Sequence, residues 1–239
     1  MAARGVIPAG VWRRRAIALA ILAAALVAGY YLWLRDASVF AVEEVTVEGA
    51  SVNGDQITAA LEEATDDMTT LHIDDEKLRE AVSRFPTVAS IKADASLLHS
   101  LTVTVTERLP VATVGSGGGE RLAVSADGFV LPGIEVEGAK LPPLEAKVEG
   151  TRVDAEGRAQ AAIAGGAPEE LRERIDAVAW DAQLESVVVE IEGAPELRMG
   201  DGTRAEAKWE AVVAVLADPD LGSPAYVDAS VPERTVSGG

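Results

Sequence analysis

The chain has 239 residues, 39 of them acidic against 21 basic, and no cysteine. A net charge of −18 argues against nucleic acid as a partner, because phosphate binding needs a basic surface; the missing cysteines exclude a disulfide framework and thiol catalysis. Five of the basic residues and none of the acidic ones lie in residues 1–35, so residues 36–239 carry 16 basic against 39 acidic side chains, a charge of −23.

Residues 16–34 read AIALAILAAALVAGYYLWL and hold no charge. As a helix they would reach about 28 Å, close to the ~30 Å hydrocarbon core of a bilayer. Trp12 precedes the run and Tyr30, Tyr31 and Trp33 end it, where amphipathic rings settle at the headgroup layers. Arg4, Arg13, Arg14 and Arg15 ahead of it, against Arg35 behind, keep residues 1–15 as a cytoplasmic tail. Ala23-Ala24-Ala25 and Val27-Ala28-Gly29 offer the alternative of a cleaved signal peptide, but the apolar run continues past both to Leu34. With no ionisable residue in it, the expected transmembrane helix is a tether, not part of a channel.

Val39 to Val47 alternates loosely and reads as a strand. Asn53 before Gln56 resembles a capping box, with Ile57, Ala60, Leu61 and Ala64 on one helical face. Asp74, Asp75 and Glu76 open a second helix that carries Leu78, Ala81, Val82 and Phe85 and stops at Pro86. Ala89, Ile91 and Ala93 alternate, and Leu101, Val103 and Val105 alternate with Thr102, Thr104 and Thr106. The expected module at residues 35–110 is therefore β-α-α-β-β, with both helices on one face of the sheet.

From Val111 short strands dominate, at residues 122–124, 129–131, 186–191, 196–199 and 225–231, with helices at 156–164, 168–174 and 205–216. They predict a second mixed α/β domain at residues 111–233 with a largely antiparallel sheet. Residues 234–239 are expected to form a disordered tail, with nothing to pack. The whole reads as an α+β protein.

Chemical motifs are weak. Gly115-Ser116-Gly117-Gly118-Gly119 has no Lys-Ser or Lys-Thr after it and reads as a hairpin loop, not a phosphate cradle. His72 and His99, the only histidines, have no carboxylate at a metal-ligand spacing. No Gly-x-Ser-x-Gly elbow is present. No enzyme activity, cofactor or small-molecule substrate is expected.

Glu107-Arg108-Leu109-Pro110-Val111-Ala112 resembles the ERxPVA junction of the FtsQ/DivIB cell-division proteins. Phe40 to Gly49, Phe85-Pro86-Thr87-Val88, Leu141-Pro142-Pro143-Leu144, Gly200-Asp201-Gly202-Thr203 with Lys208-Trp209, and Tyr226-Val227-Asp228 with Val231-Pro232 are similar to further motifs of that family. Asp94-Ala95-Ser96-Leu97-Leu98-His99 departs from its basic residue and aromatic-Pro pair. The resemblance implies a POTRA module followed by an FtsQ-type β domain. It also implies a non-catalytic divisome scaffold at the septum, in the plasma (inner) membrane, that recruits FtsB/FtsL-type membrane proteins and influences septal peptidoglycan synthesis. Partner capture in the family uses the last strand as an edge for strand addition, here Tyr226, Val227, Asp228, Ala229, Ser230, Val231, Glu233 and Arg234. The POTRA module, especially its Ser100 to Glu107 strand, is expected to have a separate role in localisation. The competing reading is a secreted or membrane-anchored cell-wall-binding protein.

Overall fold

The structure is a computed structural model and describes residues 9–30, 40–96, 99–116, 119–219 and 222–238. They fall into two compact units, one of residues up to Arg84 with Ser90–Val105, the other of Phe85–Ala89 with the residues from Thr106 onward.

The first helix, α1 (Ala9–Gly29), begins seven residues before the expected span and includes Arg13, Arg14 and Arg15. Its uncharged part, residues 16–29, covers about 21 Å. No helix among the described residues is long and apolar enough to cross a membrane; residues 31–34 of the expected span lie outside them. Ile17, Leu19, Ile21, Leu22, Leu26 and Val27 are all exposed.

The POTRA-like module contains β1 (Glu44–Glu48), α2 (Gly54–Thr65), α3 (Asp75–Val82), β2 (Val88–Ala95) and β3 (Ser100–Glu107). Its sheet has the order β1-β3-β2, with β1 parallel to β3 from Glu44↔Ser100 to Glu48↔Thr104. Because strand side chains alternate, the threonines of β3 turn away while Leu101, Val103 and Val105 are buried. Ile57, Ala60, Leu61 and Ala64 of α2 and Leu78 and Val82 of α3 are buried too, as their spacing requires. Asp74 caps α3, its carboxylate accepting the N–H groups of Glu76 and Lys77 at 3.0 Å each. The expected capping box at α2 does not form: Asn53 sits in the left-handed region at φ 59° and makes no side-chain cap bond. Gly49 also has positive φ, and a Cβ there would lie 2.3 Å from the Val105 carbonyl oxygen, so only glycine fits. His99 serves structure: its Nδ1 lies 3.0 Å from the Ala41 carbonyl, while its own carbonyl accepts from the N–H groups of Glu43 and Glu44. The strand expected to serve localisation, β3, is central, and the free edges of this sheet belong to β1 and β2.

The second unit contains β4 (Pro110–Gly115), β5 (Arg121–Ser125), β6 (Val130–Leu131), β7 (Pro143–Leu144), β8 (Val148–Glu149), β9 (Arg152–Val153), α4 (Ala155–Gly166), α5 (Glu169–Arg172), β10 (Ile175–Asp181), β11 (Ser186–Ile191), β12 (Glu196–Gly200), α6 (Ala205–Leu216), β13 (Tyr226–Asp228) and β14 (Val236–Gly238). Nine strands form one sheet in the order β14-β13-β12-β11-β10-β7-β4-β5-β6. The pairs β4/β7, β7/β10 and β12/β13 are parallel and the other five antiparallel. The β12-α6-β13 crossover explains the parallel pair near one end, since adjacent parallel strands need a connection long enough to cross the sheet. Ala161, Ile163 and Ala164 of α4 and Trp209 and Val212 of α6 are buried with Val178, Val189, Leu197 and Val227 of the sheet in one apolar core. The Trp209 indole N–H donates to the Ile163 carbonyl at 2.8 Å, which joins the two helices and satisfies the ring's one polar group.

At the start of this unit Arg108 organises the residues around it. Its backbone N–H donates to the Thr87 carbonyl at 2.8 Å. Its guanidinium donates to the Pro86 carbonyl at 2.7 Å, to the Val88 carbonyl, and to the Asp127 carboxylate at 2.8 Å. It also lies 3.8 Å from the centroid of the Phe129 ring, on which Arg152 stacks at the same distance. Burial alone would raise the pKa of Asp127, but hydrogen bonds from Ser125 and Arg108 outweigh it and hold the carboxyl below its usual range. Within the Glu-Arg-x-Pro motif, Arg108 thus performs structural work.

Candidate functional site: the C-terminal edge of the sheet

The predicted docking residues lie at one end of the nine-stranded sheet. Tyr226, Val227 and Asp228 form β13, parallel to β12 with Glu196↔Tyr226, Leu197↔Val227 and Arg198↔Asp228. The chain then makes a 3-10 turn at Pro232–Arg234 and returns as β14, antiparallel to β13 with Tyr226↔Gly238, Val227↔Ser237 and Asp228↔Val236. Two expectations change. The strand expected at residues 225–231 is three residues long and paired on both sides, and the tail expected to be disordered supplies the outermost strand. The edge is therefore β14, not residues 226–234.

Strand alternation sorts the predicted residues. Val227 and Ala229 are fully buried and their side chains belong to the core. Tyr226 and Asp228 face the other way and are half-buried. The Arg198 guanidinium stacks 3.9 Å from the centroid of the Tyr226 ring and donates through Nε to Glu196 at 2.8 Å. Gly238 presses on the same ring: a Cβ there would lie 2.7 Å from the Tyr226 hydroxyl. A side chain at position 238 would make the Tyr226 ring shift. Asp228 accepts the Ser230 N–H at 2.9 Å. Ser230 in turn closes on Gly200, whose φ is 64° and whose added Cβ would lie 3.0 Å from the Ser230 Cβ. Val231 is half exposed and Val236 slightly more so, leaving two apolar side chains open to water beside the edge. Glu233 pairs with Arg204, which lowers its pKa, and Arg234 is exposed.

The turn before α6 is fixed by a buried lysine. Lys208, 2% exposed, donates to the Asp201 carbonyl at 2.8 Å and to its carboxylate at 2.9 Å. The Thr203 hydroxyl reaches the same carboxylate at 2.6 Å. The Thr203 and Lys208 bonds, in that order, bring the Asp201 pKa down to about 2. A carboxyl depressed in the folded state contributes stability above its unfolded pKa of about 4 and loses it as the pH falls toward the folded value. Denaturation midpoints should therefore drop between about pH 4 and pH 2 by more in the wild type than in Asp201→Asn. Equal acid sensitivity in the two proteins would remove this role for Asp201.

Sequence reading missed Arg198, Val236, Ser237 and Gly238. The signal for β14 was slight: a β-branched pair, Thr235-Val236, directly after the Pro-Glu-Arg turn.

Residues 40–108 match the family model for the POTRA domain, FtsQ-type. No curated protein matches the chain. The chain thus carries an FtsQ-type POTRA domain at residues 40–108. That domain type supports a role as a cell-division scaffold with divisome proteins as partners.

Proposed function

We propose that this chain is a membrane-tethered divisome scaffold that captures FtsB/FtsL-type membrane proteins by strand addition to the outer edge of β14, and so helps to control septal peptidoglycan synthesis. The observation that carries the reading is the position of β14 at the end of the nine-stranded sheet, with no strand beyond it among the described residues. An edge strand presents backbone N–H and C=O groups as a ready template, and β-augmentation uses them for affinity. Val231 and Val236 supply apolar contacts beside that template, and Tyr226, pinned by Arg198, holds β14 in place.

The tether is α1. Its side chains from Ala16 to Gly29 are exposed around the whole helix, and a helix apolar on every side is stable only inside a larger apolar phase. The uncharged sequence runs on to Leu34, and 19 such residues are enough, as a helix of about 28 Å, for the hydrocarbon core.

Capture from detergent-solubilised cells with the intact chain tests the reading. FtsB-type coiled-coil membrane proteins are expected in the captured set, and a set without them would contradict it.

A further inference from the structure

A groove of about 600 Å³ opens beside the end of the edge just described. Leu171, Ile191, Pro195, Leu216 and Pro224 line it, together with Arg174 and with Glu196, whose carboxylate is paired with Arg198. Leu171 and Leu216 pack against the core yet are only half-buried, so apolar surface faces water there. Ala225 joins the groove to the strands: its N–H donates to the Gly238 carbonyl at 2.8 Å, and its carbonyl accepts from the Glu196 N–H at 3.1 Å. The groove begins where the β13/β14 pairing ends. A segment laid along β14 and continued past Gly238 therefore meets it.

Charge selects the occupant. Arg174 is exposed, and among the described residues its guanidinium meets only the Glu192 carbonyl, at 3.4 Å. Four of its N–H donors remain for a planar acceptor, which a carboxylate matches in two parallel bonds. In a region carrying −23, a cation this weakly engaged beside apolar walls is suited to an acidic group that the rest of the surface would repel.

We propose that this groove is the anchor pocket for the added strand. The partner inserts one large apolar side chain between Leu171 and Leu216 and places an Asp or Glu carboxylate on Arg174. An apolar anchor in a pocket, ringed by polar contacts, is where binding free energy concentrates, while the strand pairing fixes register. The inference rests on the strand-addition reading.

The test places the photo-cross-linker p-benzoyl-L-phenylalanine at Leu216 or at Ser237 in the full chain, co-expressed with the FtsB-type protein of the same cell. Both positions should cross-link to it, and the peptide joined at position 216 should carry a large apolar residue with Asp or Glu within two positions. Arg174→Glu should weaken capture by about tenfold or more while the unfolding midpoint stays near that of the wild type. Cross-linking at 237 without 216 would overturn the pocket and leave strand addition standing. Absence of cross-links at both would overturn strand addition and the pocket with it.

Discussion

Ending the chain at Thr235 should abolish capture of the FtsB-type partner, by about 100-fold or more in affinity, while the second unit still unfolds cooperatively. The two halves of that result have separate causes. Val236 and Ser237 are exposed and Gly238 has no side chain, so β14 adds nothing to the apolar core, which is closed at this end by Val227 and Ala229. Its deletion removes a few exposed backbone bonds and the Gly238 contact on Tyr226, a loss of about 1–2 kcal/mol in stability. For the partner it removes the whole template, and several hydrogen bonds in register are worth far more together than one. Co-purification from cells expressing tagged truncated and intact chains measures the first half, and thermal denaturation followed by circular dichroism the second. Undiminished capture would place the docking edge elsewhere.

The second large effect is on stability. Arg108→Ala should cost about 3–5 kcal/mol or prevent the second unit from folding. The Arg108 side chain is 13% exposed. Its removal leaves the Pro86 and Val88 carbonyls short of a donor and strips Asp127 of its cation. It also leaves one face of Phe129 without the stacked guanidinium. Unpartnered buried acceptors lose their full solvation. Lysine should rescue only part, because an ammonium cannot reach two carbonyls and a carboxylate while lying flat on a ring. Urea unfolding of the three proteins decides the matter; a loss below about 1 kcal/mol in Arg108→Ala would show the cluster to be incidental.

Much of the fold was legible because local spacing and burial coincide. Ile57, Ala60, Leu61 and Ala64, and Leu101, Val103 and Val105, are buried as their periods of 3.6 and 2 require. Helices α4 and α6 lie within a residue or two of the ranges read from sequence. Strands β7, β10 and β14 were among those not legible. The first and last are two and three residues long, and Ile175–Asp181 is diluted by alanine, so tertiary pairing and not local pattern makes them strands. The same cause displaced the candidate edge. Tyr226-Val227-Asp228 carries a clear strand signal, whereas the segment that covers it gave almost none. Yet alternation within residues 226–231 already separated Val227 and Ala229 from their neighbours, and followed strictly it would have assigned both to the core.

The junction motif shows a different limit. Glu107-Arg108-Leu109-Pro110 pointed to a family, but no sequence pattern tells that Arg108 collects acceptors from residues 86, 88 and 127. Those partners lie about 20 positions away and meet only when the strands are assembled.

The central claim is that a partner strand pairs with β14, and amide hydrogen exchange of residues 236–238 tests it most directly. With the FtsB-type partner bound, those of these amides that face away from β13 should become protected by about 100-fold or more relative to the free chain, while β1 and β2 of the POTRA module stay unchanged. Equal exchange at residues 236–238 in the free and bound protein, with protection appearing elsewhere, would contradict it.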